Sequence, residues 1–121
     1  MDANLNLGIL NGQYSTPGEP DKYSKDAEKY FKKVLAKDPV NASALVGMGN
    51  LGFNKGKTDE AREYYEKAVK IDSWDPDIWL NLARVALKQS NKEDARDYCG
   101  RASKLDSGDH VRDIVTALKC N

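Results

Sequence analysis

The sequence predicts an all-α helical-repeat solenoid, built as one domain over residues 1–121. Three observations carry that expectation. One helical-face pattern recurs at a constant spacing, a second recurs between its copies, and residues that start and stop helices fall at the joints.

The first pattern opens at Ala27, Ala61 and Ala95, spaced by 34 and 34 residues. Each alanine is followed at i+4 and i+7 by Phe31 and Val34, Tyr65 and Ala68, or Cys99 and Ala102. That spacing puts the three residues on one face of a helix. The copies end alike, in Lys37-Asp38-Pro39, Ile71-Asp72-Ser73 and Leu105-Asp106-Ser107. In the second pattern, Ala44-Leu45-Val46-Gly47-Met48-Gly49 and Ile78-Trp79-Leu80-Asn81-Leu82-Ala83 also lie 34 apart. Ala3-Asn4-Leu5-Asn6-Leu7-Gly8 precedes the former by 41, which is 34 plus an insertion of 7. The small residue ending each copy lets two helices approach closely.

This alternation resembles the tetratricopeptide repeat, whose pattern is W-x₂-L-G-x₂-Y, then A-x₃-F, then P, over 34 residues. The third unit matches at Trp79, Leu82, Ala83, Ala95 and Ala102, and the second at Leu45, Met48, Gly49, Ala61, Tyr65 and Ala68. The first has Asn4 and Asn11 where large apolar residues belong. The resemblance covers roughly residues 3–107 and implies a right-handed α-solenoid of three tetratricopeptide helix pairs plus a C-terminal capping helix. Its repeats would span about 3–41, 42–75 and 76–108, with the cap at about 109–119.

Local signals agree. Asp75-Pro76 offers an N-cap followed by proline at the first helical position. Asn91 with Asp94 resembles a capping box, and Gly56, between Lys55 and Lys57, suits a left-handed turn. Helices are expected near 3–13, 24–37, 42–55, 58–71, 76–89, 92–105 and 109–119. The last carries Val111, Ile114, Val115 and Leu118 at i, i+3, i+4 and i+7, the single apolar stripe that a cap needs. That stripe sits two residues earlier than the strict period would place it, so a shortened connection or a rotated cap is expected.

Composition excludes several classes of function. Lys+Arg and Asp+Glu both count 19 and alternate along the chain, which leaves no basic stripe for nucleic acid. No apolar run approaches the roughly 20 residues that cross a bilayer. With one histidine and no CxxC pair, no zinc set can be assembled. No phosphate loop, nucleophile elbow or acid pair is present, so no enzyme, metal or cofactor is expected. Cys99 occupies the aromatic column of Phe31 and Tyr65 and should fill core. Cys120 is expected to be exposed and incidental, without a disulfide framework, as in a reducing cytoplasm. His110 reads as solvated, and Pro17, Gly18 and Pro20 read the insertion within Tyr14–Tyr23 as an exposed turn.

The resemblance implies a protein-interaction module that acts as an adaptor or scaffold. The first helix of each pair would line a concave groove that takes an extended peptide or a helix of a partner protein. One helix has a core face of Leu45, Met48, Gly49 and Gly52, and a second face of Val46, Asn50 and Phe53. The next repeats this with Trp79, Leu82, Ala83 and Ala86 inside and Leu80, Arg84 and Leu87 on the second face. Asn81 flanks that face, and Leu5 and Ile9 continue it N-terminally. Asparagine amides can pair with any peptide backbone, and an arginine can hold a carboxylate in a fork. The competing reading is that some of these residues pack against the cap or within the array. Some chaperone-binding tetratricopeptide domains grip a terminal carboxylate with two asparagines and several basic groups. Asn50 and Asn81 resemble the asparagines, but Val46, Val111 and Val115 stand where the basic groups belong, which counts against that ligand. The alternative function is self-assembly, or part of a longer repeat protein.

Overall fold

The structure, a computed structural model, describes residues 20–120. Its described residues form six α-helices and no strand: α1 (Pro20–Lys37), α2 (Ala42–Asn54), α3 (Thr58–Ile71), α4 (Pro76–Lys88), α5 (Lys92–Leu105) and α6 (Asp109–Leu118). The expected helix 3–13, with Leu5 and Ile9, lies outside the described residues. Helix α1 begins at Pro20, four residues before its expected start, so residues 20–23 of the insertion are helix and not turn. A proline suits a first helical position, where its missing N–H costs nothing.

The chain divides into two compact units, residues 1–68 and 69–121. In the first, Ala27, Phe31 and Val34 of α1 form one core with Ala44, Met48 and Leu51 of α2. Phe31 is fully buried, and a Cβ added at Gly47 would run into its ring. Gly49 likewise admits Tyr65 of α3, whose Cε1 would lie 2.5 Å from an added Cβ. These two glycines are therefore contact surfaces, and α2 is buried over most of its circumference.

In the second unit, Leu80, Ala83 and Ala86 of α4 meet Ala95, Cys99 and Ala102 of α5, with Val111 and Val115 of α6 completing the core. Ala61, Ala68, Ala95 and Ala102, the small residues of the first pattern, are all fully buried. Cys120 is not exposed, as the sequence suggested, but buried and disulfide-bonded to Cys99, with Cα atoms 6.4 Å apart. Lys119 is the reason: its left-handed backbone, at φ 57°, turns the chain back after α6 and carries Cys120 inward.

The joints follow the expected chemistry. Asp75 accepts a hydrogen bond from the Asp77 N–H at 2.9 Å, with Pro76 opening α4. Asn91 accepts from the Asp94 N–H at 3.1 Å. Gly56 takes φ +80° in the turn between α2 and α3, and Ser90, 34 residues on, holds φ 61° between α4 and α5. A side chain is disfavoured there where glycine is not. Ser90→Gly is therefore expected to raise stability by about 0.5–1 kcal/mol. A urea midpoint that falls would show that Ser90 contributes more than its backbone costs.

Candidate interaction surfaces

The second face read from the sequence divides when each residue is placed. On α2, Val46 and Phe53 are half-buried, but Asn50 is only 6% exposed. Its Oδ1 accepts a hydrogen bond from the Tyr65 hydroxyl of α3, so the amide pairs with the protein's own phenol rather than with solvent. A buried amide without that bond would be costly. On α4, Leu80 is only 2% exposed and lies in the core with Val111 and Val115, while Leu87 packs half-buried against the same cluster. Leu80 and Asn50 are thus corrections: packing uses both side chains. Asn81 and Arg84, three residues apart on α4, keep access to solvent, half-buried and exposed respectively.

A surface that the sequence reading missed lies on the second unit. Trp79, assigned to the core from its repeat position, is only half-buried. Its ring stacks on Tyr98 at 6.0 Å, and the Arg101 guanidinium sits 5.1 Å above it. Its Nε1–H donates to the Ser73 carbonyl at 3.0 Å. Ser73, Trp79 and Arg101, together with Arg96, Asp97, Gly100 and Lys104, line an open cleft of about 720 Å³. Arg101 also donates to Asp97 Oδ2 at 3.2 Å, which fixes it over the indole. Nearby in sequence, Trp74 is 79% exposed. A legible signal was Gly100, a glycine inside a helix with nothing packed against it.

Charge elsewhere is ordinary. His110 Nε2 lies 3.0 Å from Asp77 Oδ1, an exposed pair of little energetic weight. Burial pushes the Tyr64 phenol up, and the carboxylates of Glu60, Glu28 and Glu63 add to the shift. Burial also pushes the Asp75 carboxyl up, against its hydrogen bond from Asp77 and with the charges of Asp77 and Asp72. Among the described residues no three His, Cys, Asp or Glu side chains gather as metal ligands, and no helix is long and apolar enough to cross a membrane.

Two family models, each described as tetratricopeptide repeat, match residues 53–118 and 24–76, the first covering more than half of the chain. No curated protein matches it. Among solved structures the chain is similar to TTC0263, a thermophilic TPR protein of Thermus thermophilus, with a TM-score of 0.80 and 18% identity over 97% of this chain and 61% of that one. It is similar to YrrB, a TPR protein with an unusual peptide-binding site, at a TM-score of 0.70 and 25% identity over 91% of this chain and 54% of that one. It is also similar to the Yersinia enterocolitica type III secretion chaperone SycD in complex with a peptide of the translocator YopD. There the TM-score is 0.73 at 20% identity, over 98% of this chain and 94% of that one. The chain spans less than two thirds of the length of the first two.

Proposed function

The chain belongs to the tetratricopeptide-repeat family, and on that premise we propose that it is an adaptor that holds an extended peptide or helix of a partner protein. Asn81 and Arg84 on α4 are the polar contacts in this reading, and the half-buried Leu87 on the same helix is an apolar one. The observation that carries it is Arg84, which is exposed and has no ion-pair partner among the described residues. A guanidinium presented in this way can take a carboxylate through two parallel hydrogen bonds. The peptide-binding site of YrrB and the peptide complex of SycD support the reading by analogy of fold.

Binding to a randomised peptide array tests it. Peptides retained by the wild type should include carboxylate-bearing sequences, and Asn81→Ala and Arg84→Ala should each weaken them by about 1–3 kcal/mol. Both variants should melt as the wild type does, because neither residue is in the core. Binding that survives both changes rejects the α4 face. A second reading, self-association, is favoured by the exposed Trp74. A light-scattering mass that rises with concentration and falls for Trp74→Ala would support it over the adaptor.

A further inference from the structure

Helix α6 is held on the second unit by little. It has ten residues, a length that does not sustain a helix alone in water. Its N-cap, Gly108, provides no side-chain hydrogen bond to the first turn. Of its side chains only Val111 and Val115 are buried, with Ile114 and Leu118 packed at the edge. After it, Lys119 adopts the left-handed conformation that glycine usually takes at a helix end, and it has no glycine's freedom to do so. A strained residue held in place points to whatever it positions. Here that is Cys120, which the turn delivers to Cys99 on α5.

We propose that Cys99–Cys120 is a thiol–disulfide exchange site that latches α6 over α4 and α5, and that its reduction releases the helix. The geometry supplies the coupling. The bond joins residues 21 apart, with all of α6 between them. While α5 stays folded, an opened α6 remains tethered at both ends and gains little chain entropy. Once the bond is cut, the same opening frees one end, and the gain is larger. Burial supplies the gate: Cys99 is 1% exposed and Cys120 5%, so an incoming thiol reaches them only through an opening of α6.

The reaction balances with a dithiol reductant. One thiolate of the reductant attacks the sulfur of Cys120, the more exposed residue of the two. Cys99 leaves as a thiolate and takes a proton. The second thiol of the reductant, as thiolate, then displaces Cys120 from the mixed disulfide. Two electrons pass to the protein, the reductant becomes a cyclic disulfide, and two cysteine thiols result. Oxidised glutathione reverses the change and departs as two thiols. The inference is independent of the peptide-binding reading, since it uses no residue assigned to that face.

Hydrogen exchange on the full chain tests the latch, with thiol titration as a control. The oxidised protein should show no thiol under denaturing conditions and two after dithiothreitol. Reduction should speed exchange of the Val111–Leu118 amides roughly ten-fold or more and leave them exchanging faster than those of α5. Oxidised glutathione should restore the slow pattern. Cys120→Ser should show the fast pattern with or without reductant. No change at α6 overturns the proposal, and so does α6 exchange in the reduced protein that is no faster than that of α4 and α5, which would report opening of the whole unit rather than release of the helix. Two thiols that glutathione disulfide cannot close also overturn it.

Discussion

Replacing Phe31 with alanine is expected to destabilise the protein by about 3–5 kcal/mol, seen as a lower urea midpoint with an unchanged slope. The ring is fully buried at the centre of the first unit's core, so truncation loses its apolar burial and leaves a cavity that the helices cannot close. Its seat is Gly47, and the partner change tests the same contact from the other side. On propensity alone, Gly47→Ala in a helix interior should gain about 1 kcal/mol. The added methyl meets the Phe31 ring instead, and the net expectation is a loss of about 1–3 kcal/mol. Combining Gly47→Ala with Phe31→Leu should recover part of that loss, because the smaller side chain vacates the space. A double-mutant cycle measures the coupling directly. If Gly47→Ala alone stabilises the protein, the ring does not rest on that glycine.

Reducing the Cys99–Cys120 bond is expected to lower the stability of the chain by about 3 kcal/mol, the loop-closure entropy for a separation of 21 residues. The loss falls on the unfolded state, which regains the conformations that the cross-link removed. Cys120→Ser in the absence of reductant should match the reduced wild type within a few tenths of a kcal/mol, apart from the cost of placing a hydroxyl in that apolar cluster. Denaturant melts of oxidised, reduced and variant protein check this. Identical midpoints for oxidised and reduced wild type would mean that the bond contributes nothing to folding.

The joints and inner faces of the helices were legible because their causes are local. Helices α3 and α5 span the residues that the repeat period had marked, and Asp75, Asn91 and Gly56 act where their chemistry requires. The 34-residue alanines are buried because a residue every helical turn on one side must meet a neighbour if that side is apolar. Site residues were less legible. Asn50 and Leu80 share the same spacing as the exposed Arg84, and spacing alone separates none of them.

By itself the sequence determined a repeating all-α chain, the boundaries of the six described helices to within a few residues and the small residues at their contacts. Tertiary structure alone decided which second-face residues stay outside. Helical periodicity says which side chains share a face, but not which other element covers that face. Tyr65 reaches Asn50 from α3, and α6 closes over Leu80, each from many residues away. The same holds for Cys120: nothing near it in sequence requires burial, and only the left-handed turn at Lys119 and the position of α5 bring its sulfur to Cys99. Such contacts join residues far apart in the chain, and local propensity does not encode them.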